Sequence, residues 1–143
     1  MKPRKISVNE LVKILMDEHE KSKYRLSEFE KLLKTGNYEA ARELINHLKT
    51  NYEQHIIDEE AVLLRDAVKF LGRENCKDII EIFQQHRPIM DMVQRIIDSV
   101  NDLQLRRMED LLQDLRKILE IHYSREEVEV FPRILKLHEE NKS

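Results

Sequence analysis

The sequence contains few residues that break helices. Its 143 residues include two glycines and three prolines, and its apolar residues are mainly Leu, Ile and Val. Lys, Arg, Asp and Glu make up 37% of the chain, a share that long helices with exposed faces require. The composition therefore predicts an all-α protein, and the length suits one domain that spans residues 1–143.

Other absences exclude whole classes of function. One cysteine, Cys76, cannot form an internal disulfide and fits a reducing cytoplasm. A net charge of −3 provides no basic surface for nucleic acid. No segment approaches the roughly 18–20 apolar residues of a membrane span, and no apolar run follows the lysine-rich start as in a signal peptide. We therefore expect a cytoplasmic protein with neither nucleic acid nor membrane as partner.

Capping and turn residues mark the ends of four long helices. Ser7-x-x-Glu10 has the form of a capping box, which starts the first helix near Val8. Gly36 and Gly72 end the first two helices because glycine readily adopts the left-handed conformation. The predicted helices cover about residues 8–35, 38–71, 74–100 and 103–131. With short turns between them, they predict an up-down-up-down four-helix bundle.

Two prolines predict local departures from this plan. Pro88 lies inside the third helix and lacks a backbone donor, so we expect a kink just after His86. Asn101-Asp102 is expected to cap the fourth helix. Pro132 is expected to interrupt that helix, which leaves open a short fifth helix over residues 133–140.

An offset of 67 residues relates the two halves of the chain. The histidines of each half are 36 residues apart (55 − 19 and 122 − 86), and each second histidine is followed by a glutamate at the fourth position. The offset superposes His19 on His86, His55 on His122 and Glu59 on Glu126. It also matches Leu44 with Leu111, Leu48 with Leu115, Glu53 with Glu120 and Glu60 with Glu127. The second half is therefore a pseudo-copy of the first.

The repeated polar residues lie within the apolar stripes of the predicted helices. Residues four apart share one helix face, so each His-x-x-x-Glu pair presents an imidazole and a carboxylate to one point. Four imidazoles and two carboxylates suit two neighbouring cations, with iron, manganese or zinc as candidates, and the lack of thiolates excludes an iron–sulfur cluster. The predicted metal ligands are His19, His55, Glu59, His86, His122 and Glu126.

Two alternatives stay open at this point. The same six residues could in principle form buried His–Glu ion pairs without a metal. Glu60 and Glu127 adjoin predicted ligands, and they either form hydrogen bonds with a ligand histidine or are simply exposed. Tyr24, Tyr52 and Tyr123 are interpreted as core residues rather than as redox or hydrogen-bonding groups.

The motifs resemble those of the hemerythrin-like family, whose domain is also called the HHE cation-binding domain. The resemblance spans about residues 8–135 and rests on four segments: the histidine of Asp17-Glu18-His19-Glu20, His55-Ile56-Ile57-Asp58-Glu59-Glu60, Gln85-His86-Arg87 and His122-Tyr123-Ser124-Arg125-Glu126-Glu127. It implies a four-helix bundle around two iron ions, bridged by the two glutamates and by an oxo or hydroxo group. The four histidines would then cap the iron pair on its outer sides.

The sequence departs from the pattern of the oxygen-carrying members of that family. Those proteins have five histidines, two of them four apart on the third helix, whereas the positions four residues on either side of His86 are Ile82 and Met90. The chain has instead a symmetric pattern of four histidines and two glutamates, so reversible oxygen carriage is not implied.

Three functional hypotheses follow from this pattern. The leading one is a di-iron protein that binds or senses a small ligand such as O2, NO or peroxide, or iron itself. The second is an enzyme that consumes peroxide or NO at the same centre. The third is an iron or redox sensor that acts through a partner protein.

Overall fold

The structure is a computed structural model that describes residues 1–141, and these form four long helices. The first is α1 (Val8–Lys34). The second consists of α2 (Tyr38–Asp58), a π-helical segment (Glu59–Leu64) and α3 (Arg65–Leu71). The third consists of a 3-10 turn (Arg73–Cys76), α4 (Lys77–Phe83) and α5 (His86–Asn101). The fourth consists of α6 (Leu105–Arg125), a second π-helical segment (Glu126–Val130) and α7 (Phe131–Glu140).

The helices pack in the cyclic order of an up-down-up-down bundle. The first long helix contacts the second and the fourth, and α5 contacts both α2 and α6. Short turns join consecutive helices, which therefore run in opposite directions. The predicted all-α four-helix bundle is confirmed.

The first two helices have the predicted ends. The Ser7 hydroxyl accepts a hydrogen bond of 3.2 Å from the backbone N–H of Glu10, so the capping residue satisfies one of the free donors at the start of α1. Gly36 and Gly72 follow the first two long helices with φ of 75° and 79°. A residue with a Cβ atom would be strained at either position.

The kink in the third helix lies before His86, so the prediction of a kink after it is wrong. The α-helical pattern ends at Phe83, and Gln84 and Gln85 form a turn before α5 begins. Pro88 explains the position of this break, because a proline ring clashes with the carbonyl four residues before it, here that of Gln84. The break lies one turn earlier than a kink at the proline itself.

The predicted interruption at Pro132 is also wrong. The fourth helix continues through its π-helical segment directly into α7, where Pro132 lies in the first turn. Because the backbone N–H of Phe131 bonds to the carbonyl of Glu126, five residues back, the helix is already wide where the proline enters. The short fifth helix that the sequence left undecided is therefore the last part of the fourth long helix. The start of that helix differs as well, since Gln104 and not Asn101-Asp102 stands at its N-cap.

Two apolar clusters form the core, and a polar layer separates them. One cluster fills the bundle end that contains the turn between α1 and α2, and the other fills the end that contains α3 and α4. Along each long helix the predicted ligand residues lie between the parts that belong to the two clusters. Each fully buried Leu, Ile or Phe contributes about 1.5–3 kcal/mol, so the clusters hold the polar layer in place from both sides.

Within residues 1–141, no helix combines the length and the apolar character that crossing a bilayer requires.

The sequence repeat extends to the turns that join its paired helices. Leu103 is the counterpart of Gly36 at the 67-residue offset, and it adopts φ of 55°. The same hydrogen bonds close both turns, from Asn37 N–H to the Leu32 carbonyl and from Gln104 N–H to the Ser99 carbonyl, each 2.9 Å long. The second turn therefore has the geometry of a glycine turn without the glycine.

Replacing Leu103 by glycine is expected to stabilise the protein. The side chain is 53% exposed and contributes little packing, whereas the left-handed conformation costs a non-glycine residue about 1–2 kcal/mol. After the entropy of glycine in the unfolded chain is subtracted, Leu103→Gly should raise the free energy of unfolding by up to about 1 kcal/mol. Chemical denaturation measures the change. Leu105→Gly, at the start of α6, is the matched control and should lower the stability; a lower stability of Leu103→Gly would contradict the argument.

Candidate metal centre

The six predicted ligand residues meet in the polar layer of the bundle. Each long helix contributes one histidine, and the side chains of all six residues are buried. The two glutamates, Glu59 and Glu126, are the first residues of the two π-helical segments. Single π-helical turns widen a helix and are frequent at functional sites. The equivalent placement of both segments shows that the repeat includes the backbone that presents the carboxylates.

Each buried carboxylate contacts one histidine from each half of the chain. The oxygens of Glu59 lie 3.3 Å from Nε2 of His55 and 2.9 Å from Nε2 of His86. Those of Glu126 lie 3.1 Å from Nε2 of His19 and 3.4 Å from Nε2 of His122. All four imidazoles therefore present the same nitrogen to the carboxylate pair.

These contacts define two sets of residues that could each hold one cation. The first position consists of His19 and His55 with both glutamates, and the second consists of His86 and His122 with the same two glutamates. Within each set the nearest ligand atoms all lie within 4.8 Å of one another. Because Glu59 and Glu126 belong to both sets, they are placed as bridging carboxylates would be.

The atoms that face the centre lack hydrogen-bond partners among residues 1–141. They are both oxygens of Glu59 and Glu126 and Nε2 of His19, His55, His86 and His122. Their mutual contacts of 2.9–3.4 Å do not have hydrogen-bond geometry. A buried polar atom without a partner costs about 1–3 kcal/mol, and more when it is charged. Nitrogen and carboxylate donors that converge in this way fit a pair of borderline divalent cations.

The two carboxyl groups respond differently to their surroundings. Burial favours the protonated form of both, but the positive charge of His55 holds the pKa of Glu59 well below its usual value. Burial and the charge of Glu59 raise the pKa of Glu126 well above its usual value. Two carboxylates this close share the site only if a proton or a cation reduces their repulsion.

The histidines also divide into two kinds. Burial lowers the pKa of His19 to about 3 and that of His122 to about 4. Burial also opposes protonation of His55, but the carboxylates of Glu59 and Glu18 outweigh it and raise its pKa to about 9. Neutral imidazole is the form that binds metals, and burial, together with neighbouring positive charges, favours that form in His19 and His122.

The outer nitrogen of each histidine faces a side chain, and Nδ1 of His55, His86 and His122 forms a hydrogen bond with it, whereas Nδ1 of His19 does not. Nδ1 of His86 contacts Glu60 at 2.6 Å and Nδ1 of His19 contacts Glu127 at 3.4 Å, so these two glutamates lie against histidines as the sequence allowed. Sequence reasoning missed two further partners. Glu18 lies 3.1 Å from Nδ1 of His55, and the side-chain carbonyl of Gln85 lies 3.0 Å from Nδ1 of His122. Each directly precedes a predicted ligand histidine, and the 67-residue offset pairs them, which is the signal that could have revealed them.

Aromatic rings cover the imidazoles. Tyr123 stacks on His19 with ring centroids 3.8 Å apart and an interplanar angle of 12°, and Phe83 stacks on His86 at 5.1 Å. The Tyr123 hydroxyl is 2.8 Å from that of Ser22 and is satisfied there. Tyr52 and Tyr123 are core residues, as predicted, but the same prediction is wrong for Tyr24, whose side chain is exposed. The rings limit the rotation of the histidines and keep water away from them.

Comparison with known families agrees with this geometry. The family described as "Hemerythrin HHE cation binding domain" matches residues 77–143. No curated protein and no solved structure matches the chain. The matched segment contains His86, His122 and Glu126, while the other three predicted ligands lie in the first half of the repeat. The family match and the clustered His and Glu side chains together indicate that the protein binds a metal cation.

Removal of one buried carboxylate is expected to stabilise the metal-free protein. Burial favours the neutral forms of Glu126 and of the two histidines nearest to it, His19 and His122, so its removal leaves no unpaired charge behind. A buried carboxyl group without hydrogen-bond partners costs about 1–3 kcal/mol. In the presence of a chelator, Glu126→Leu should therefore have a higher free energy of unfolding than the parent chain, as measured by denaturant titration. Glu120→Leu, at an exposed position of α6, should change the stability by less than about 0.5 kcal/mol. A destabilised Glu126→Leu would indicate that the carboxylate serves the fold itself.

Proposed function

On the premise that residues 77–143 belong to the hemerythrin HHE cation binding domain family, we propose that this chain is a di-iron protein that binds or senses a small ligand such as O2, NO or peroxide. In this proposal residues 1–143 form one domain of the symmetric subtype with four histidines and two glutamates. The metal ligands are His19, His55, Glu59, His86, His122 and Glu126.

The unsatisfied atoms at the centre carry this proposal. Four Nε2 atoms and four carboxylate oxygens converge without hydrogen-bond partners among residues 1–141. A purely structural cluster would leave that cost uncompensated. Two cations would satisfy all of these atoms, and the shared positions of Glu59 and Glu126 support two ions rather than one. The donor set excludes neither manganese nor zinc, and the family favours iron.

Bound iron would supply a redox-active pair of cations with a coordination position for a small exogenous ligand. The residues of the chain set the conditions for this chemistry. The aromatic rings of Tyr123 and Phe83 exclude water and orient His19 and His86. The hydrogen bonds at Nδ1 of His55, His86 and His122 keep these imidazoles in the tautomer that leaves Nε2 free to bind a metal.

A small cavity beside His55 offers a site for the ligand. It has a volume of about 20 Å³ and lies between α1 and α2, with Glu18, Tyr52 and Tyr123 among its lining residues. One water-sized molecule needs roughly 10–15 Å³ of such volume, so the cavity fits a molecule of two or three atoms. The hydroxyl of Tyr52 is buried and has no hydrogen-bond partner in the described part of the chain. We propose that it donates a hydrogen bond to the bound ligand.

Metal analysis tests the central proposal. The protein should bind two iron ions per chain after anaerobic loading with Fe(II) and should develop near-ultraviolet and visible absorption in air. The double variant Glu59→Ala/Glu126→Ala should lose both ions because it lacks the two shared carboxylates. His47→Ala, at an exposed position of α2, is the control and should retain both. Less than one ion per parent chain, or an unchanged metal content in the double variant, would refute the proposal.

The proposed role of Tyr52 has a separate test. Tyr52→Phe should retain its iron but bind azide, a small anionic probe, roughly 10–150-fold more weakly, which corresponds to the loss of one hydrogen bond to a charged group. Titration by absorption spectroscopy gives the azide dissociation constant. Tyr24→Phe, whose side chain is 66% exposed, should behave like the parent chain. Equal azide affinities in the Tyr52 variant and the parent would reject the hydrogen bond while leaving the metal site intact.

A further inference from the structure

The two metal positions differ in the outer partners of their histidines. At the first position both Nδ1 atoms face carboxylates: that of His55 forms a hydrogen bond of 3.1 Å with Glu18, and that of His19 lies 3.4 Å from Glu127 without hydrogen-bond geometry. At the second position one Nδ1 faces the carboxylate of Glu60 at 2.6 Å, and the other faces the neutral amide of Gln85 at 3.0 Å. The first position thus has one more negatively charged partner than the second.

The sequence repeat isolates this difference. At the 67-residue offset Glu60 pairs with Glu127, and both are glutamates that contact equivalent histidines. Glu18 pairs with Gln85, and they occupy equivalent places beside His55 and His122. The three predicted ligands of one half are identical in type to those of the other. Among the outer partners of their histidines, the change in residue type is the one from the carboxylate of Glu18 to the amide of Gln85.

We infer that Glu18 and Gln85 are positioning residues that make the two metal positions unequal, so that the first position binds its ion before the second and more tightly. The inference rests on the proposed metal site and concerns the order of filling, which the ligand set by itself does not determine.

The direction follows from the strength of the hydrogen bonds. An N–H group that donates to a carboxylate leaves its imidazole more electron-rich than one that donates to an amide carbonyl, because the charged acceptor attracts the proton more strongly. His55 is therefore a stronger donor to a metal than His122. Loss of such an outer partner typically changes metal affinity by about 10–100-fold. Because the glutamine side chain still accepts the hydrogen bond, we expect the metal affinities of the two positions to differ by a factor near the lower limit of this range, about 10-fold.

Arg4 reduces this effect without removing it. Its guanidinium donates to both oxygens of Glu18, to Oε2 at 2.8 Å and to Oε1 at 3.4 Å, and lies 3.3 Å from the buried carboxylate of Asp58, so one positive charge is shared by two carboxylates. Oε1 of Glu18 faces His55. At the equivalent place in the second half, Arg125 replaces Asp58 and pairs with Glu129. The first position therefore retains a net negative charge in its outer surroundings, and Arg4 holds the Glu18 side chain in place.

Exchange of the two residues tests the inference. The probe is Co(II), titrated into metal-free protein under nitrogen and followed by its visible absorption, which yields separate first and second dissociation constants. Gln85→Glu should tighten the second binding step about 10-fold and leave the first unchanged. Glu18→Gln should weaken the first step by a similar factor. The double exchange Glu18→Gln/Gln85→Glu should restore the difference between the two steps.

Repulsion between two bound cations makes the second dissociation constant larger than the first even when the two positions are equal. The test therefore compares the two constants among variants and does not rely on their difference in the parent chain. Gln84→Glu is the matched control: it adds the same charge at an exposed neighbouring residue and should leave both constants unchanged. The inference is overturned if Gln85→Glu tightens the first step, or if the exchanges change the constants no more than the control does. A parent chain that binds no cobalt would instead contradict the proposed metal site itself.

Discussion

The burial of two carboxylates among four imidazoles is the constraint on which the rest of this bundle depends. Glu59 and Glu126 are fully buried, and an unpaired charge in such a place would cost several kcal/mol. Several features of the surrounding structure reduce this cost. Two apolar clusters enclose the polar layer, aromatic rings cover the imidazoles, and outer carboxylates and one amide hold each Nδ1. None of these contacts satisfies the atoms that face inward, which is why a cation completes the structure.

The repeat does not divide the centre into two separate half-sites. Glu59 contacts His55 from its own half and His86 from the other, and Glu126 likewise contacts His122 and His19. Each position therefore combines two histidines of one half with carboxylates of both. Neither half of the chain could form a complete position alone, so the family match to residues 77–143 describes a segment whose site needs the first half.

The sequence predicts the bundle and the cluster well because both depend on residue type and spacing. The 67-residue offset and the His-x-x-x-Glu pairs place six polar residues on inward faces whatever the details of packing. The π-helical segments at Glu59 and Glu126 could not be predicted in this way, since a shift of hydrogen bonds by one residue depends on tertiary contacts. The partners Glu18 and Gln85 were missed because each lies beside a histidine of another helix, so spacing along one helix does not indicate the contact; the 67-residue offset that pairs the two was the available signal.

Two departures from the repeat lie beside His55, at the first of the two positions. Tyr52 stands where the second half has Leu119, and Glu18 where it has Gln85. Both line the small cavity beside His55. A repeat of identical ligands is sufficient to hold two equal ions, but equal ions offer a small molecule no preferred point of approach. By placing a hydrogen-bond donor, a carboxylate and a cavity on the His55 side, the chain makes one end of a symmetric centre different from the other. The proposed ligand binding therefore depends on the residues that break the symmetry, and the proposed metal binding on those that keep it.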